Sequence, residues 1–274
     1  MVQRRSSNGG IRLIFAAVIA IFSLVSYCNM NQTNPVTGEK QHIDISPEQE
    51  VALGLQAAPE MAQQFGGLDQ NQQDQAVVEK VGHSIVEHSD ATKSSYQFDY
   101  HLLADRKTIN AFALPGGQIF ITRALYSQLK TPGELAGVLA HETGHVVGRH
   151  SAEQMAKARL TQGLTGAAAV ATTDPNNPRS YSNAAVAQMV GQFISLKYSR
   201  NNESEADALG VKLMSEAGYD PRSMIAVMEI LKKSGGPSGP DFFATHPNPT
   251  NRIGAIQAEI KKDFPNGVPS GLQK

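Results

Sequence analysis

The sequence predicts one α+β domain, mainly helical, with a small β-sheet early in the chain. Three observations carry that reading. The chain has 274 residues, enough for one ordinary domain and too few for two large ones. Apolar residues alternate with a period of two around Tyr96 to Leu102, and short apolar runs that read as two strands stand on either side of Pro115-Gly116-Gly117. Elsewhere they recur at three- and four-residue intervals, the spacing of one helix face. No internal repeat is present. The net charge of −1 excludes the basic footprint that nucleic-acid binding needs.

The elements follow in order. Arg4, Arg5 and Arg12 stand among the first twelve residues without an acid, ahead of an uncharged, mostly apolar run from Leu13 to Ser26. This is the layout of a secretory signal, and the run is shorter than the ~20 apolar residues of a membrane span. Residues 1–27 therefore read as a cleaved signal, with an uncleaved anchor as the alternative. Cys28 is the only cysteine, so no intramolecular disulfide forms. Leu24-Val25-Ser26-Tyr27-Cys28 resembles the lipobox of bacterial lipoproteins, departing from it at Tyr27, where a small residue is usual. That resemblance implies an exported protein held by lipid on Cys28 to a membrane facing the periplasm. Asn29 leans toward the outer membrane. Residues 28–46 are polar, with turn signals at Asn34-Pro35 and Thr37-Gly38, and read as a tether to a folded domain over 47–274.

Within that domain, Ser46-Pro47-Glu48-Gln49 opens a helix running to Gln64, and Asp74 to His88 forms a second. Asn110 to Leu114 and Gln118 to Thr122 are two strands around a tight turn. Gly163 to Asn183, rich in Ala, Gly and Thr, reads as a mobile loop between helices. Asp220-Pro221 opens a further helix, and a Gly/Pro-rich loop at 235–249 precedes a final helix over 250–262.

The chemistry is concentrated on one helix. Thr131-Pro132-Gly133-Glu134 has the form of a capping box, and Leu135, Val138, Leu139 and Val146 keep helical spacing behind it. His141 and His145 are four residues apart, one turn of helix, so both imidazoles can reach one ion. Glu142 projects beside them, toward a metal-bound water rather than onto the metal. A catalytic zinc takes three protein ligands and keeps one open position. His150 falls one residue short of the spacing that would make it the third ligand, a rotation of ~100°, and reads as a helix-surface residue. The better candidate is Glu203, four residues before Asp207 on a second helix (202–215). Asp207 can fix the tautomer of a ligating histidine. Glu205 faces elsewhere and is the weaker choice.

His141-Glu142-Thr143-Gly144-His145-Val146-Val147, with Arg149-His150 and Glu203-Ser204-Glu205-Ala206-Asp207, resembles the HtpX-like and CaaX-protease-like zinc metallopeptidases. Asn110 to Gly117 and Thr245-His246-Pro247 with Arg252-Ile253 agree, so the likeness covers about 98–256. The lipobox-like start and Asn34-Pro35-Val36-Thr37-Gly38 are similar to the soluble periplasmic lipoprotein branch. The resemblance implies a zincin-like fold whose active-site helix packs on the sheet. It also implies one Zn2+ per chain on His141, His145 and Glu203, with Glu142 catalytic.

On this reading Glu142 takes a proton from the attacking water and gives it to the leaving amine. His246 is the candidate oxyanion donor, or, by moving, a group that occludes the zinc. Arg252 orients substrate or braces its helix. The strand of Asn110, Ala111, Phe112 and Ala113 offers an edge to which an extended peptide can add. Recognition through backbone suits unfolded or misassembled envelope proteins. The rival reading is a chaperone or assembly factor using the same groove.

Overall fold

A computed structural model describes residues 8–172, 198–234, 241–247 and 251–274. The first helix, α1 (Asn8–Asn29), is longer than the apolar run suggested. Its segment Gly10–Asn29 has a mean hydropathy of 2.2 and is long and apolar enough to cross a membrane, a test that a signal sequence also passes. Ile11, Phe15, Val18 and Phe22 are exposed on it.

The stretch read as a tether is instead packed on the domain. Strands β1 (Gln32–Thr33) and β2 (Lys40–Gln41) form an antiparallel hairpin, and Ile43 and Ile45 beyond it are buried with Ala152 and Met155. Polar composition misled here because the polar side chains bond to backbone. Asn34 donates to the Val147 carbonyl at 2.8 Å, and Gln41 donates to that of Gly148 at 2.6 Å.

Helix α2 (Pro47–Gln64) starts at a full capping box between Ser46 and Gln49, and α3 (Gln72–Glu87) is capped by Asn71. The sheet has the order β3-β5-β4, with β3 (Asp99–Leu103) parallel to β5 (Gln118–Thr122) and β4 (Ala111–Ala113) antiparallel at one edge. Gly116 and Gly117 make the turn between β4 and β5 at φ of +78° and +114°, which glycine adopts without steric cost. The short helix α4 (Arg123–Tyr126) leads to α5 (Pro132–Val147), which carries the His-Glu-Thr-Gly-His run. Thr131 caps α5 by accepting from the Glu134 amide, while the Glu134 side chain turns to the Lys130 amide, so only half of the capping box forms. Every residue of α5 after Pro132 is buried. Its Thr143 hydroxyl meets the Tyr100 hydroxyl of β3 at 2.9 Å, which ties the helix to the sheet.

Helix α6 (His150–Thr172) continues through Gly163, where a loop was expected. Residues 173–183 of that expected loop lie outside the described residues. Low helix propensity is overridden by packing: α6 lies along α1, with Gly163 against Ser23 and both Ala16 and Ala167 buried. Helix α7 (Arg200–Glu216) crosses α5, and α8 (Ser223–Ser234), the one-turn α9 (Phe242–Thr245) and α10 (Arg252–Asp263) complete the domain. The main core lies between the sheet, α3, α5, α7 and α8.

Candidate metal centre

Two small residues let the site assemble. Where α5 and α7 cross, Gly144 faces Ala206 and Gly210 faces the backbone of His141, at distances where a Cβ would crowd both contacts. The helices therefore approach closely enough for a carboxylate on α7 to reach imidazoles on α5. His141 Nε2 lies 3.1 Å from His145 Nε2, and Glu203 Oε1 lies 3.4 Å from His145 Nε2. His246 enters from the residue just after α9. Its Nδ1 is 3.4 Å from His141 Nε2 and 3.0 Å from Glu203 Oε1. All four side chains are buried, and their ligand atoms lie within 4.8 Å of one another.

These separations suit one ion. Four ligands at ~2.0–2.1 Å in a tetrahedron stand roughly 3.3 Å apart, the range seen here. The charges agree: Glu203 and Asp207 are buried carboxylates, Glu142 lies beside them, and among the described residues Arg252 is the permanent cation that meets them, leaving net negative charge for a metal to balance. Both Glu142 oxygens are buried with no hydrogen-bond partner, the condition of a group whose partner is a water or substrate.

The surroundings orient each ligand. His141 Nδ1 faces Asp207 Oδ1 at 3.0 Å, the placement expected of Asp207. Arg252 forks onto the same carboxylate, with Nε and Nη2 each at 2.7 Å, and sets Nη1 3.1 Å from Glu203. It is 3% exposed. Arg252 was a candidate substrate contact, and this placement is that of a brace behind the ligands.

His150 is another correction: it is fully buried rather than on the surface. Its Nδ1 lies 2.9 Å from His145 Nδ1, and its Nε2 lies 3.2 Å from Glu205. The one-residue offset that keeps His150 off the ligand set aims it at the far side of a ligand. Tyr198 also escaped the sequence reading. Its ring stacks on His145 at 3.9 Å and its hydroxyl meets Ser151 at 3.0 Å. No spacing signal marked it, since it reaches α5 only through the tertiary fold.

Electrostatics sort the groups. Burial raises Glu142 above the ordinary carboxylate range, against the pull of His246 and His141. Burial also acts to raise Glu203, but His246 and His145 outweigh it and hold this carboxyl well below that range. Asp207 is likewise lowered, burial being overruled by Arg252 and His141. Burial holds His145 far below the usual imidazole range, so it stays neutral and offers a lone pair. For His246 burial is opposed by Glu142 and Glu203, which raise it. Of the two places expected for His246, oxyanion donor or occluding group, its Nδ1 stands among the candidate ligand atoms, as the second has it.

The candidate peptide strand, Ala111 to Ala113, is the edge strand β4, with Asn110 immediately before it. Sheet edge and metal cluster are joined by a cleft lined by residues of both, including Asn110, Phe112 and His246.

A helix-borne His-Glu pair, a carboxylate from a second helix and an edge strand beside them define the metallopeptidase class. The profile of peptidase family M48 matches residues 72–260. The chain belongs to that family and is a metalloendopeptidase by class. It is similar to "Mitochondrial metalloendopeptidase OMA1" of Schizosaccharomyces pombe, 30% identical over 259 residues, covering 91% of this chain and 74% of that protein. The protein of the same name from Arabidopsis thaliana is 36% identical over 163 residues, covering 59% of this chain and 32% of its own length. "Beta-barrel assembly-enhancing protease" of Escherichia coli K12 is 31% identical over 188 residues, covering 64% and 37% respectively. The chain thus spans about a third of the latter two.

Proposed function

We propose that this chain is a zinc-dependent endopeptidase of unfolded or misassembled cell-envelope proteins, held at a membrane by its N-terminal segment. The carrying observation is the convergence of His141, His145 and Glu203 at about the edge lengths of a zinc tetrahedron, with the unpartnered Glu142 carboxylate beside them. Bound there, zinc supplies Lewis-acid polarisation of the scissile carbonyl and acidification of a water.

The protein's own groups do the rest. Glu142 takes the proton of the attacking water and returns it to the leaving amine nitrogen; its raised affinity for protons suits that shuttle. Asp207 and the His150–Glu205 pair keep the two ligating imidazoles in the tautomer that directs Nε2 at the metal. The β4 edge holds the peptide backbone.

His246 closes the site in this arrangement. Its Nδ1 takes the position that a substrate water needs, so hydrolysis requires it to withdraw. His246→Ala should therefore raise the initial rate of casein cleavage severalfold at unchanged zinc stoichiometry. A rate reduced in proportion to zinc content would make it an essential ligand instead.

Metal analysis paired with casein cleavage tests the central reading. Glu203→Ala should lose both zinc and activity. Glu142→Gln should keep zinc and lose about 10²–10⁴-fold in rate. Undiminished zinc in Glu203→Ala would remove the third ligand. A second reading is favoured by the name of the Escherichia coli relative, which joins assembly to proteolysis: the same groove holds envelope clients without cutting them. Client handling that survives Glu142→Gln would establish that role.

A further inference from the structure

The cleft beside the metal cluster extends away from it, between the β4 edge and the C-terminal turns of α2. Its far wall is Met61 of α2 and Phe65 just beyond the helix end, which line it with Phe112 and Leu114; the Phe65 and Phe112 rings lie 5.1 Å apart. Tyr198, stacked on His145, closes the end nearest the metal. We propose that this cleft is the subsite for the substrate side chain beside the scissile bond, and that it selects a branched aliphatic residue. The proposal deepens the endopeptidase reading and rests on it.

Three features argue for that occupant. The cleft is continuous with both the metal cluster and the edge strand, so a peptide laid on β4 with its carbonyl at the metal must place a side chain near it. It holds about 60 Å³, room for roughly four or five water-sized groups at ~10–15 Å³ each. A leucine or isoleucine side chain, with four carbons, is of that size. Among the described residues, the lining carries no Lys, Arg, Asp or Glu, so a charged side chain would lose its hydration without an ionic partner there.

Of the polar lining residues, which include Ser151, Thr245 and His246, Asn110 stands at the start of the edge strand. It is 5% exposed, and its side-chain oxygen has no hydrogen-bond partner among the described residues. A buried acceptor left open at the start of a peptide-binding edge fits a substrate backbone N–H, which would fix the register that delivers the side chain to the cleft. Met61 and Phe65 lie before the stretch matched to the family profile, residues 72–260. The selecting wall therefore comes from the end of α2, outside the stretch matched to the family profile.

The experiment uses the full chain, zinc-loaded, in detergent. Peptides varied singly at the residues flanking one cleavage point are assayed for kcat/KM, and their binding is measured separately by fluorescence anisotropy. Wild type should prefer Leu or Ile over Ala and over Lys by about tenfold or more at one flanking position. Met61→Trp, which fills the cleft, should erase that preference. Phe65→Ala, which widens it, should shift the optimum to Phe. The two variants move in different directions, so a folding defect in one does not imitate the result. An unchanged ranking in both variants, by cleavage and by binding, overturns the subsite. Leu-selective binding that both variants alter, without cleavage by wild type, supports the subsite and counts against the hydrolytic reading.

Discussion

Residue by residue, the site is built in layers, and each ligand is held from behind. His141 rests on Asp207, itself gripped by Arg252; His145 rests on His150 and Glu205. Partners of this kind typically contribute 10–100-fold to metal affinity or activity. His150→Leu should weaken zinc binding by that factor in chelator competition while the fold is retained. An unchanged affinity would reduce His150 to core filling. The local part of this arrangement was legible. His141, Glu142 and His145 share one helical turn, and Glu203 and Asp207 share another, so spacing alone presents each set on one face. The places of His150, Tyr198 and His246 depend on where separate elements meet, and sequence spacing carries no information about that. Arg149 shows a related limit. It adopts a positive φ of 56° between α5 and α6, uncommon for a residue with a side chain. The buried Glu50 carboxylate, Gln32 and the Ile45 carbonyl hold it there, all distant in sequence.

Among the elements, the crossing of α5 and α7 matters most. It depends on two glycines whose role is absence of bulk. A Cβ on Gly210 would meet the Met224 side chain at 3.1 Å and the His141 backbone nitrogen at 3.3 Å. Gly210→Val adds two methyl groups beyond that point and should push α7 away from α5. The expected result is at least a tenfold loss of zinc affinity, with overpacking costing about 1–3 kcal/mol of stability in denaturant titration. Retained affinity would mean that the helices have slack there. Helices α2, α3, α5 and α7 were readable because caps and apolar periodicity point the same way, and α10, without a side-chain cap, from its periodicity and the Gly/Pro-rich loop before it. Helix α6 was not, because Gly163, Gly166 and the threonines beside them have low helix propensity, and packing against α1 at Gly163 and Ala167 accompanies the helix there. The β1–β2 hairpin was hidden for a similar reason: Asn34 and Gln41 look like solvated residues until the end of α5 is placed beneath them.

For the molecule as a whole, the proposed membrane attachment turns on the N-terminal segment. Cys28 is exposed at the end of α1. Cys28→Ser should abolish membrane partitioning if acyl chains provide the attachment. An uncleaved Cys28→Ser protein that still sediments with vesicles would assign the anchor to α1. Whichever attachment operates, it ends near residue 28 or 29, and Gln32 already holds Arg149 at the end of the metal-bearing helix. Only about three residues intervene, at most ~10 Å of extended chain. With so short a leash, the catalytic cleft has almost no freedom to wander from the lipid surface. It would work in a thin zone just above the bilayer, meeting polypeptides as they emerge from or enter the membrane rather than those diffusing at a distance.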